Sequence, residues 1–352
     1  MKKLSLILLS IAGLAACNKT EIITVDKGEA IAFADAFVDN STRSIDNTLN
    51  TSKLESFQVY GSVTWKEDPT DPSSNANIVN LYSNVTVSKG TPTTGTYVQS
   101  NQWWYDGAYT QYWIEGNAYD FAAIVNGTAA SFTKDENNKD NMPLTISYNA
   151  AGQDDLLYAE YTHVAGATNN AVAFTFNHLL AKAQFTFVNE ITTNTDENKY
   201  TYKVTDIKIT NAYMDGTYNI ANKSWAVGST TAPVTFGNIT DASLSTQSAG
   251  AIEVGAVGAT ASATSHNSML LIPHTYENSD KMTISYTIET LLNGVVIDRD
   301  VNLTITPNVV ELVAGHAYNF VFKKGYPGDP IMFQLNVVNQ WDPATGGTDK
   351  NI

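Results

Sequence analysis

Three groups of residues in this chain have types and spacing that could carry chemistry. The first is Cys17, the sole cysteine among 352 residues, closing the run "LAAC". Lys2, Lys3 and the apolar stretch from Leu4 to Ala16 precede it, which fits a secretory signal and is too short for a membrane span. "LAAC" has the form of a lipobox, after which Cys17 becomes the first mature residue and carries acyl groups. The second is Arg43, one of two arginines, in the turn-forming cluster "DNSTRS". An arginine in an exposed, polar segment is one that a protease can grip. The third is "QWWYDGAYTQYW", with Trp103, Trp104, Tyr105, Tyr109, Tyr112 and Trp113. Exposed rings there could stack on sugar faces and make a glycan-binding surface. The preferred reading is a hairpin with Asp106 and Gly107 at its turn and the aromatics packed inward as cross-strand pairs.

Other constellations offer little. His163, His178, His266, His274 and His316 are scattered without metal-ligand spacing, and no nucleophile elbow, dinucleotide fingerprint or P-loop occurs. With Cys17 committed to lipid no thiol nucleophile remains, so no catalytic residue, no metal, no cofactor and no enzymatic activity are expected. "DENNKDN" from Asp135 to Asn141 and the pair Asp154 and Asp155 carry oxygen ligands, but Lys139 stands at the fifth position where calcium loops place an acceptor, so a solvated loop is expected. A net charge of −15 argues against a nucleic-acid partner or an anionic membrane surface, since either needs clustered cations.

The elements that must position these residues are strands. The chain is 43% hydrophobic and 16% charged, with 18 Tyr, 13 Phe and 6 Trp, the profile of a turn-rich β protein. Alternating patterns at 54–64, 77–87, 96–105, 119–125 and 144–148 are separated by turn formers. A second set runs from "VAFTFNHLLAKAQFTFVNE" through 200–211, 251–257, 268–272, 281–291, 295–305 and 317–322. Such spacing predicts an all-β chain of two sandwiches, divided near Ala173. Within 31–37, Ile31, Phe33 and Phe37 alternate against small residues, with Asp35 interrupting the larger face. At 331–338, Ile331, Phe333, Leu335 and Val337 share one side, and Gly325, Pro327, Gly328 and Pro330 precede them as a hinge. It is either the closing strand of its own domain or, on such a hinge, a strand that can be lent to another molecule. A chain cut after Tyr326 is then expected to keep a complete core.

Taken in order, the lipobox, "AIAFADAF" followed by "TRS", "LESFQVYG", "YDFAAIV", "DLLYAEY", "FTFNHLLAKAQFTF", "MLLIPH", "VAGHAYNFVF" and "IMFQLNVVNQW" resemble the fimbrillins of Bacteroidota, the subunits of type V pili. That resemblance implies two tandem transthyretin-like β-sandwich domains. It implies a lipoprotein signal over 1–17, a propeptide with the first strand over 18–43, an N-terminal sandwich over 44–172, and a C-terminal sandwich with a donor strand over 173–352. It further implies travel to the outer membrane as a lipoprotein, then a cut by an arginine-specific surface protease between Arg43 and Ser44. Loss of Ile31, Phe33 and Phe37 would open a groove, and Ile331, Phe333, Leu335 and Val337 of another fimbrial subunit, itself or a paralogue, would fill it on the cell surface.

Overall fold

The computed structural model describes residues 28–38, 53–66, 76–134, 140–191, 199–236, 252–254, 262–265, 268–338 and 348–350. Their regular structure is all-β, apart from the single 3-10 turns Gly107–Tyr109 and Ala150–Gly152. Alternation of buried and exposed residues along strands such as Val172–His178 and Ala181–Asn189 is the local cause, because a period of two presents one apolar face to a core.

The first half forms one sheet in the order Phe33–Val38, Val172–His178, Leu157–Val164, Ala118–Val125, Ser56–Lys66, Ala76–Lys89, Trp103–Asp106 and Tyr97–Ser100. Val172–His178 touches Leu157–Val164 only at Asn177 with Tyr158 and His178 with Leu157. The two then part company, and Val172–His178 pairs with the leading strand Phe33–Val38 instead. A core rich in aromatics fills the space between: Phe33, Phe57, Tyr82, Trp103, Tyr105, Phe121, Phe174 and Phe176.

In the second half, one sheet carries Ser262–Ser265, Ala181–Asn189, Ala317–Lys324, Met332–Val338 and Thr348–Lys350, with Met269–Leu271 also paired to Ala181–Asn189. The other carries Thr231–Thr235, Tyr200–Tyr213, Ile284–Leu292 and Val295–Ile305. Phe185, Phe320 and Phe322 from one sheet meet Ile209, Tyr286 and Ile288 from the other in a second core.

Val172–His178 stays in the first sheet, and the chain changes sheets at Leu179 and Leu180, inside the brief apolar run "NHLLAK" and a few residues after Ala173. One feature departs from the sequence expectations. The hairpin Asp215–Asn219 and Ser224–Val227, from the second half, adds to Asp140–Asn149 and Thr128–Lys134 from the first. This bridging sheet covers a third apolar cluster that includes Ile146, Leu156, Leu179, Tyr218 and Leu270. Gln153 ties the halves again, donating through Nε2 to the Leu270 carbonyl at 3.0 Å and accepting from the Leu270 N–H at 2.8 Å.

Candidate assembly site

The leading strand is held on two sides at once. The Ile31 N–H donates to the Gln111 carbonyl at 2.8 Å and the Trp113 N–H to the Glu29 carbonyl at 2.9 Å, with Ala30 bridged antiparallel to Tyr112. On the other side the Val172 N–H donates to the Ala32 carbonyl at 2.7 Å, and the strand runs parallel to Val172–His178. Ile31 is 0% exposed and Phe33 is 1% exposed. The Phe33 ring sits among Tyr82, Tyr105, Phe121 and Phe174, with centroids 5.5 to 6.1 Å away. Edge-to-face and stacked pairs of this kind add to the energy of burial.

One polar contact reaches into this apolar seat. The Tyr105 hydroxyl donates to the Ile31 carbonyl at 2.6 Å, and the Tyr82 hydroxyl lies 3.2 Å from that of Tyr105. Burial raises both tyrosines above their ordinary pKa, so they stay protonated donors across the physiological range.

Phe37 corrects the sequence reading: it is 52% exposed, while Ala36 and Val38 are buried. The register pairs Ala34 with Ala173 and Phe37 with Thr175, so three steps on one strand match two on its partner. This bulge, at the place where Asp35 breaks the pattern, turns Phe37 outward. The inward set is therefore Ile31, Phe33, Ala36 and Val38.

The terminal strand also differs from expectation. Met332–Val338 pairs antiparallel with Ala317–Lys324 from Lys323 with Met332 to Ala317 with Val338, which places Val337 opposite Tyr318. Leu335 is 3% exposed within the second core, and half-buried Phe333 lies 5.3 Å from Phe322 and 6.1 Å from Phe320. The strand therefore contributes to its own core, and the expectation that the core is complete without it does not hold. The alternation itself is as read: Ile331, Phe333 and Leu335 pack inward and Met332 projects to solvent. The segment before it is a tied turn, with the Asp329 carboxylate accepting from the Tyr326 N–H at 2.7 Å and Gly328 at a φ of 91°.

The aromatic run is a core element. Trp103, Tyr105 and Trp113 are buried, against Phe57, Phe33 and Tyr119 respectively. The hairpin joins Tyr97–Ser100 to Trp103–Asp106 through Asn101, whose φ of 52° suits asparagine, so its turn is not at Asp106 and Gly107. Asp106 instead caps the next turn by accepting from the Ala108 N–H. Trp103, Tyr105 and Trp113 are thus spent on packing, while Trp104 and Tyr112 are half-buried and Tyr109 is 52% exposed. His163, His178, His274 and His316 each have a hydrogen-bond partner, and Asp155 is buried against His178 at 2.9 Å. Cys17, Arg43, Ser44, His266 and residues 135–139 lie outside the described residues.

The family model for fimbrillin-like proteins matches residues 42–337. The chain belongs to the fimbrillin-like family. Among solved structures, this fimbrillin-like chain is similar to a fimbrial protein from Bacteroides vulgatus at 17% identity, covering 90% of this chain and 100% of that one, with a TM-score of 0.58. A candidate cell adhesion protein from Bacteroides uniformis aligns at 14% identity over 89% and 98% of the two chains, with a TM-score of 0.45. A fimbrial assembly protein from Parabacteroides distasonis aligns at 13% identity over 84% and 91%, with a TM-score of 0.36. No curated protein sequence matches. The first of these structures supports the fold, and the family places the chain among fimbrial, cell-surface proteins.

Proposed function

We propose that this fimbrillin-like chain is a structural and adhesive pilus subunit, exported as a precursor acylated at Cys17, cut between Arg43 and Ser44, and polymerised by strand exchange with other fimbrial subunits. The observation that carries this reading is the leading strand. It completes an aromatic core, yet it is joined to the rest of the chain through the segment that contains Arg43. A cut there frees it from every covalent tie to the sandwich it closes. Its departure uncovers the edge of Val172–His178, the carbonyl of Gln111 and the pocket of Phe33. Unpaired main chain beside a strip of apolar side chains is an association site.

Exchange trades one burial for another. Lifting Met332–Val338 from its own sheet uncovers one fully buried large side chain, Leu335, and two half-buried ones. Seating a strand in the vacated groove buries two such side chains fully, at about 1.5–3 kcal/mol each. Contact in one direction repeats without closing and gives a filament.

The test is N-terminal sequencing of the mature protein sheared from cells. A start at Ser44 supports processing and activation. An acylated Cys17 still attached to residues 18–43 would overturn the cleavage step and leave a lipid-anchored surface protein.

A further inference from the structure

At the corner where the first sheet meets the bridging sheet lies an open cleft of about 440 Å³. Gln58 reaches it from Ser56–Lys66. The turn that leads out of Ala118–Val125 supplies Asn126, Gly127 and Thr128, and the end of Asp140–Asn149 supplies its last three residues. The volume falls within the roughly 300–1,000 Å³ of small-ligand sites. None of the lining residues is charged, and all but Gly127 carry a hydroxyl or a carboxamide.

Part of this lining is fixed in place. Asn126 donates through Nδ2 to the Asp155 carbonyl at 2.9 Å, which leaves its Oδ1 as an acceptor. Asn149 accepts at Oδ1 from the Ala151 N–H at 2.9 Å, which leaves its Nδ2 as a donor. The Tyr148 hydroxyl donates to the Asp154 carbonyl at 2.6 Å and holds the ring against the corner. Gly127 is packed so closely that a Cβ there would come within 2.5 Å of Leu156 and 2.7 Å of Ile146, so the turn sits at one depth. Among the described residues, the side chains of Gln58, Thr128 and Ser147 have no hydrogen-bond partner within the chain.

We infer that this cleft binds a neutral saccharide. A sugar ring carries hydroxyls that donate and accept at once, the pattern that neighbouring carboxamides and hydroxyls match. An ionic ligand would leave water without meeting a counter-charge, and a chiefly apolar one finds no continuous apolar wall. Asn126 and Asn149 are already ordered, so less freedom is lost on binding. Phe57 and Val59 line the aromatic core, which puts Gln58 on the opposite face of the same strand. The cleft is therefore across the sheet from the seat of the leading strand, and the inference depends neither on a cut at Arg43 nor on strand exchange.

The experiment uses the uncut full chain carrying Cys17→Ser and the methyl glycosides of glucose, galactose and mannose, with binding titrated by saturation-transfer NMR. The uronic acid and the amino sugar of each ring serve as its anionic and cationic counterparts. At least one neutral glycoside is expected to bind, about tenfold or more tightly than either charged counterpart. Gln58→Ala should weaken that binding about tenfold, one net hydrogen bond, and so should Asn126→Gly, which keeps a residue suited to the φ of 58° at that position. Trp104→Ala and Tyr109→Ala, in the aromatic run, should leave it unchanged. Binding kept in Gln58→Ala and Asn126→Gly but lost in Trp104→Ala or Tyr109→Ala would move the sugar to the aromatic run and overturn this site. Equal binding of neutral and charged rings would overturn the ligand class. Binding by none of the three glycosides would overturn the inference and leave the pilus reading standing. The comparison of neutral with charged rings needs no change in the protein, so a misfolded variant would not blunt the test.

Discussion

At the scale of single residues, Phe33 and Phe37 are the same side chain two turns of the pleat apart and have opposite environments. Replacing Phe33 by alanine in the uncut protein should cost about 3–5 kcal/mol of stability, whereas Phe37→Ala should change it by less than about 0.5 kcal/mol. Urea unfolding of both variants measures the difference, and equal effects would contradict the bulge. Arg299, the other arginine, is the internal control for cleavage at Arg43. It lies inside Val295–Ile305, pairs across the sheet with Glu289, and places its Nε 3.3 Å from a Glu289 oxygen. A protease needs an extended segment it can lift free, and a paired strand is not one. Limited digestion should therefore release the leading segment and leave Arg299 intact; early cleavage at Arg299 would remove this basis for selectivity. Asp280 supplies a pH dependence. Its carboxylate accepts from the Tyr213 hydroxyl at 2.6 Å and contacts His274 at 2.8 Å, and the tyrosine bond, then the histidine, holds its pKa below 3.8. A depressed folded value means that this stabilisation is present above the unfolded pKa and is lost as pH falls through the folded one. Asp280→Asn should lower stability above about pH 4 and flatten the acid limb below it, so that variant and parent converge as the pH falls.

At the scale of elements, the terminal strand is the one whose role in the core changes most. Truncation after Tyr326 removes Leu335 and Phe333 and uncovers Phe320 and Phe322, so the truncated protein should lose about 3 kcal/mol or more and bind a hydrophobic dye. A melting temperature equal to that of the full chain would mean that the strand is only an appendage. Strands that bury one face were legible from sequence: Phe174 and Phe176, Phe185 and Phe187, and Ile331 to Val337 all announce themselves by alternation. The bulge at Asp35 left only an interruption, whose consequence for Phe37 depends on the partner strand. Asp215–Asn219 and Ser224–Val227 were not read as strands at all. Asp215–Asn219 pairs with a strand some seventy positions earlier and Ser224–Val227 is joined to it alone, and only Gly216 and Tyr218 are buried, so the local pattern is weak. Tyr105 was visible as an aromatic but not as a donor, because the carbonyl that it meets belongs to Ile31, 74 positions away.

At the scale of the whole molecule, two cores are welded by a third. Trp225, on the bridging hairpin, donates through Nε1 to the Leu179 carbonyl at 2.8 Å and packs edge-on to Tyr148 and tilted against Tyr218. Calorimetry should show one unfolding transition for the native chain, and Trp225→Ala should split it into two; an unsplit transition would place the coupling elsewhere. The bridging sheet also bears on what a surface fibre endures. Under tension, a chain of beads joined by single tethers lengthens at each tether before any bead yields. Here the crossing at Leu179 and Leu180 is shunted by a ladder of hydrogen bonds from Asp215–Asn219 to Asp140–Asn149, so a pull entering at one core reaches the other through rigid material. In a filament of the proposed kind, that ladder would have to break before the two cores of a unit could separate.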